Sequence, residues 1–152
     1  MQNHVTFETA LRLKEAGFPQ PNPEVGQFWY LPMLGSINGE NPPYCINFVG
    51  EEHIYFSRVG GIVTEREHVG NRLSVSTFLK AATFAPTAAD ILRELKRVVG
   101  EHIEVQMETS ENEFVVRLFE DLPFGNFDTI LETNDNPAEA AAQAFLNSKA
   151  KQ

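Results

Sequence analysis

A thiol and an imidazole held side by side can make a nucleophile, because the ring stabilises the thiolate that attacks. The chain offers one cysteine, Cys45, and four histidines, His4, His53, His68 and His102. Cys45 and His53 occupy neighbouring stretches that both alternate like strands, so a hairpin could bring the pair together. Against this, a cysteine in a half-buried strand usually behaves as a small hydrophobe, and that is the favoured reading of Cys45. Metal chemistry has less to stand on. Glu65-Arg66-Glu67-His68 lacks the second histidine of a zinc-protease helix, and one thiol cannot build a thiolate cage. His102, Glu104 and Glu108 share one side of a predicted strand, as they would on any solvated acidic strand. No metal and no cofactor are expected, and the sequence names no catalytic residue.

The remaining motifs divide in the same way between chemistry and plain structure. Gly60-Gly61 and Gly35-Ser36-Ile37-Asn38-Gly39 fit neither the phosphate-loop nor the dinucleotide spacing, and no Lys-Ser or Lys-Thr follows them, so they read as turns. Glu51-Glu52 and Glu120-Asp121 are carboxylate pairs in predicted turns, where nothing indicates the pocket that acid–base work needs. Arg93, Lys96 and Arg97 lie on one side of a predicted helix. They either contact phosphates or pair with Asp90 and Glu94 one turn away, and local pairing is favoured. Phe28-Trp29-Tyr30-Leu31 sets large aromatics in succession. Neighbours on a strand point to opposite faces. Either Phe28, Trp29 and Tyr30 offer part of this run to a protein partner or a second copy, or the run is an interior strand covered on both sides.

Composition sets the frame for these residues. The chain has 152 residues, 42% hydrophobic and 22% charged, which fits a single domain over 1–152 that closes its core without cross-links or ions. Twelve phenylalanines make that core aromatic. The formal net charge is −9, and residues 101–135 hold ten acidic residues against Arg117 alone. Such acidity disfavours a sequence-independent grip on nucleic acid, which works by releasing counterions to Lys and Arg. Met1-Gln2-Asn3-His4 does not read as a signal peptide, and no apolar run approaches the length of a membrane span. The expectation is a cytoplasmic protein with no membrane association.

The elements follow from periodicity. Phe7, Ala10, Leu11 and Lys14 recur as on a helix over 6–16, with Thr6 as cap and Gly17-Phe18 as a Schellman stop. Strands are expected at Phe28–Leu31, Tyr44–Val49 and His53–Val59, the last two joined as a hairpin through Gly50-Glu51-Glu52, with Tyr44, Ile46 and Phe48 on one side. Residues 60–85 have no clean period and admit a strand, a short helix or a packed loop. Pro86–Gly100 is the clearest helix, with Thr87 and Asp90 at capping-box spacing and an apolar stripe through Ile91 and Leu95. Ile103–Glu108 and Glu113–Phe119 alternate as a second hairpin, and Asp121–Asn136 reads as a linker. Asn136-Pro137-Ala138-Glu139 opens a last helix whose expected buried stripe is Ala141, Ala144, Phe145 and Ser148. The sum is an α+β fold, an antiparallel sheet of two hairpins with about three helices on one face.

Phe84-Ala85-Pro86-Thr87 opening a helix, the strand start His102-Ile103-Glu104-Val105, the aromatic run Phe28-Trp29-Tyr30 and Phe127-Asp128-Thr129 before an Ala-rich helix together resemble small phage or prophage proteins of Bacteroidetes. Glu94 stands where that set commonly has an aromatic residue. The resemblance implies a mobile-element origin and brings no catalytic residues with it. The leading expectation is a non-enzymatic accessory or interaction protein. The alternative is a small enzyme or ligand-binding domain whose site is assembled from dispersed residues.

Overall fold

In the computed structural model, which describes residues 4–58, 71–100, 103–110, 113–122, 125–134 and 136–150, the chain is α+β. Helix α1 spans Phe7–Glu15 and begins where the Thr6 hydroxyl accepts the Thr9 amide at 3.3 Å. It ends in the expected Schellman motif. The amides of Gly17 (φ 92°) and Phe18 donate to the carbonyls of Lys14 and Leu13 at 3.1 and 2.8 Å. Strand β1 (Phe28–Tyr30) leads through a single 3₁₀ turn to β2 (Pro43–Val49), β3 (His53–Ser57) and β4 (Arg72–Ser74). Helix α2 (Val75–Ala81) and β5 (Thr83–Phe84) follow, so the stretch without a clean period contains two short strands around a two-turn helix. Gly60-Gly61 and Glu65–His68 lie outside the described residues. Helix α3 (Ala88–Val99) starts in the full Thr87–Asp90 capping box and stops at Gly100. Strands β6 (Ile103–Ser110), β7 (Glu113–Leu122) and β8 (Gly125–Asn134) precede helix α4 (Pro137–Ala150).

The two expected hairpins form, but they do not share a sheet. β2 and β3 lie inside a five-stranded antiparallel sheet in the order β4-β3-β2-β1-β5, whereas β6 and β7 belong to a three-stranded sheet β6-β7-β8. The reason lies in the segment read as a linker. Residues 125–134 pair with β7 from Leu122↔Gly125 to Phe114↔Asn134, completing a sheet that needs no strand from the other hairpin. Gly125, one of the residues that suggested a break, is the first residue of β8, and Glu120-Asp121 falls within β7 and not in a turn. By its contacts the chain divides into two compact units, one of Met1–Phe18 with Pro86–Gln152 and one of Pro19–Ala85.

In the first unit α4 is the common neighbour of α1, α3, β7 and β8. Ala138, Ala140, Ala141, Ala142, Ala144 and Phe145 are all buried, which covers more of its circumference than a one-sided stripe would. The Phe145 ring meets Phe18 edge-on at 5.3 Å. Asn136 caps the helix as expected, its Oδ1 accepting the amides of Ala138 and Glu139. Glu139, at the third position of the helix, also bonds outside it. Its carboxylate reaches α1, accepting the Thr6 amide at 2.9 Å and the Thr9 hydroxyl at 2.8 Å. One side chain thereby closes the start of the first helix with the start of the last.

Because Ala141 has no exposed surface, extra methyl groups there have no room. Ala141→Leu should lower unfolding free energy by about 1–3 kcal/mol, read from the urea midpoint; an unchanged midpoint would mean that α4 is not enclosed.

Candidate functional site

Strand β1 places its three aromatics by pairing on both sides, Trp29 facing Tyr44 of β2 and Phe84 of β5 in register. The indole lies against Phe78 of α2 at 5.1 Å and against Phe84 at 5.2 Å. Its Nε1–H donates to Gln27 Oε1 at 2.9 Å, so the polar atom of the ring is met inside the same unit. Trp29 and Tyr30 point to opposite faces and are only 2% and 1% exposed, with Phe28 half-buried. A partner surface formed by Phe28, Trp29 and Tyr30 is therefore corrected to an interior strand, because both faces of β1 are covered.

Cys45 and His53 are on adjacent strands but far apart along them. Cys45 pairs with Ser57, four residues beyond His53, which at about 3.3 Å per residue separates the two by about 13 Å. Cys45 is 3% exposed, and its thiol lies 3.7 Å from the Ile46 carbonyl. Hairpin register keeps this thiol and this imidazole from acting as a pair. The sheet also departs from simple alternation after Ile46, where the register shifts by one. Phe48 then lies opposite Tyr55 with their rings 5.6 Å apart, instead of sharing a face with Tyr44 and Ile46.

The charged candidates are engaged with their neighbours. Arg93 lies 3.8 Å from Asp90, and Arg97 Nε donates to Glu94 at 2.9 Å. The Glu94 carboxylate raises the already high Arg97 pKa by hydrogen bonding and by charge. Both arginine side chains are well exposed, so these pairs contribute little to stability. Gln106 donates to Glu104, and Glu108 pairs with Arg117 at 3.1 Å across β6 and β7. His102 is outside the described residues. Among the described residues, no three His, Cys, Asp or Glu side chains converge as a metal site would require.

A surface that the motif reading missed lies in the connection between β1 and β2. Residues 32–40 are all exposed, and Met33, Leu34 and Ile37 retain 43%, 44% and 40% of their surface in solvent. The connection has its own internal bonds. Leu34 and Gly35 donate to Leu31 and Pro32, and Ile37 and Glu40 exchange amide–carbonyl bonds of 2.8 and 3.1 Å. Asn38 and Gly39, at φ 52° and 81°, make the tight two-residue turn that Asn-Gly favours. Val25, Phe48, Val49 and Leu79 are the other large apolar side chains exposed among the described residues, all in the same unit. A signal for this surface was present: between Val25 and Gly50 the only charged residue is Glu40.

No protein-family model, no curated protein and no solved structure matches the chain.

Two outcomes test this geometry. Native Cys45 should react with a thiol reagent more slowly than a free thiol and reach the free rate only in denaturant; native reactivity above the free thiol would restore a chemical role. Burial holds His4 below its ordinary pKa of 6.5. The unfolded chain takes up this proton near the ordinary value, whereas the folded chain takes it up only lower. The stability tied to neutral His4 is thus intact above the ordinary value and is lost as pH falls through it toward the folded pKa. Denaturant melts at stepped pH should show that decline in the parent and a shallower one in His4→Leu; equal slopes would contradict it.

Proposed function

We propose that the chain is a non-enzymatic accessory or interaction protein encoded by a phage or other mobile element. The observation that carries this reading is the exposure of Met33, Leu34 and Ile37 on an internally bonded connection in a charge-poor stretch. Apolar side chains left in water lower the free energy of a complex when a partner covers them, at roughly 25 cal/mol per Å² removed from solvent. A connection already held by hydrogen bonds loses less entropy on binding than a loose one. The dispersal of Cys45, His53, Glu104 and Glu108 among separate neighbours supports binding over chemistry. The mobile-element part of the reading is supported by the resemblance in Phe84–Thr87, His102–Val105 and the final Ala-rich helix.

The test is a comparison of what the parent chain and the triple variant Met33→Asp, Leu34→Asp, Ile37→Asp retain from cells that carry the gene. Proteins held by the parent should be lost from the variant while its melting curve stays the same. If the variant retains everything the parent does, the surface is not the interaction site.

A further inference from the structure

We infer that Asn38 is a site of spontaneous covalent modification, where the Gly39 backbone nitrogen attacks the Asn38 side-chain amide and converts it to aspartate and isoaspartate. This goes beyond the interaction reading and does not depend on it.

The chemistry needs a carboxamide followed by a main-chain N–H that can reach it. The nitrogen gives up its proton and attacks Cγ, and the new N–C bond closes a five-membered imide ring. The bond from Cγ to the side-chain nitrogen breaks, and that nitrogen leaves as ammonia, taking up the proton. Water then adds across one of the two C–N bonds of the imide. Opening at Cγ leaves aspartate. Opening at the main-chain carbonyl leaves isoaspartate, with the chain running through Cβ. Water is the only co-reactant, and nothing is oxidised or reduced.

Sequence, access and bonding each single out Asn38. It is the only asparagine followed by glycine, whose missing Cβ leaves the attacking nitrogen free to turn. Asn22, Asn41 and Asn136 precede prolines, whose nitrogen has no proton to give up. Asn38 and Gly39 are both exposed, and a Cβ at Gly39 would meet nothing within 4 Å. Asn47, by contrast, is 2% exposed, and the Ser148 amide that follows Asn147 belongs to the ladder of α4. Among the described residues, neither the Asn38 side chain nor the Gly39 amide has a hydrogen-bond partner. The Ile37–Glu40 bonds of 2.8 and 3.1 Å close the turn from outside this pair. Rotation about the Asn38 Cα–C bond, which brings the nitrogen to Cγ, therefore breaks no bond of either reacting group. Both products place a new carboxylate between Ile37 and Glu40, on a chain whose formal charge is already −9. Isoaspartate also lengthens the main chain inside a two-residue turn, which puts the paired Ile37–Glu40 bonds out of register.

The test holds the folded full chain at physiological temperature in mildly acidic and mildly alkaline buffer and follows every asparagine by peptide mass mapping. The peptide carrying Asn38 should gain about one dalton and resolve into two products on reversed-phase chromatography. Because the attacking nitrogen must lose its proton, conversion should run several-fold faster in the alkaline buffer, and ahead of every other asparagine. Asn38→Gln, whose longer side chain disfavours the ring, should lose the mass gain at this position. The peptide from Asn38→Asp should co-elute with one of the two products. A folded chain in which Asn38 stays intact would overturn the inference, and conversion in denaturant alone would show that the turn protects it. Earlier conversion at another asparagine, or a rate indifferent to pH, would overturn it as well.

Discussion

The unit formed by Met1–Phe18 and Pro86–Gln152 depends on how closely other elements can approach α4. The helix touches α1, α3, β7 and β8, which is feasible because five of its six buried positions are alanine. A helix with leucines at those places would hold its neighbours further off. Alanine also gives α4 a strong intrinsic preference for helix, so small size and local propensity act in the same direction. Phe145 supplies bulk at one point, and Phe18 meets it from just beyond the end of α1. Glu139 then ties the first turn of α4 to the first turn of α1, coupling segments more than a hundred residues apart in the chain.

The other unit is organised by Trp29. Its strand sits between β2 and β5, and α2 joins β4 at one edge of the sheet to β5 at the other. Phe78 from α2 and Phe84 from β5 therefore both reach the indole. Gln27 is as important as the rings. Its Oε1 accepts the indole N–H and also the Glu24 amide, while its Nε2 donates to the Asn22 carbonyl. The bend that leads into β1 and the buried nitrogen of Trp29 are thus served by one side chain.

How much of this was legible depended on whether the signal was local. Caps were legible, since Thr6, Thr87, Asp90 and Asn136 act on amides two or three residues away. So was the Gly17-Phe18 stop. The pairing of β8 was not, although its partner β7 is next to it in the chain. Residues 125–134 look like a linker because Asp, Asn and Thr dilute their alternation and a proline precedes them, yet β7 pairs with them along nearly its whole length. The fate of Phe28-Trp29-Tyr30 was non-local, since only the arrival of α2 and β5 decides that Trp29 is interior. The register shift after Ile46 hid the side-chain direction of Phe48, because one extra residue reverses every later position. Exposure at Met33, Leu34 and Ile37 was absent from any motif and showed only as a shortage of charge.

Among the described strands, β6 is one of the two outer strands of its sheet. Eight residues of edge backbone are a ready template for further strands, which is how orderly sheets grow into insoluble fibres. Glu104 and Glu108 are exposed along this one. An incoming β6 from another molecule would bring the same two carboxylates into the new ladder, and like charges across a pair of strands destabilise it. The two carboxylates thus disfavour strand addition at an edge that no other described strand pairs with.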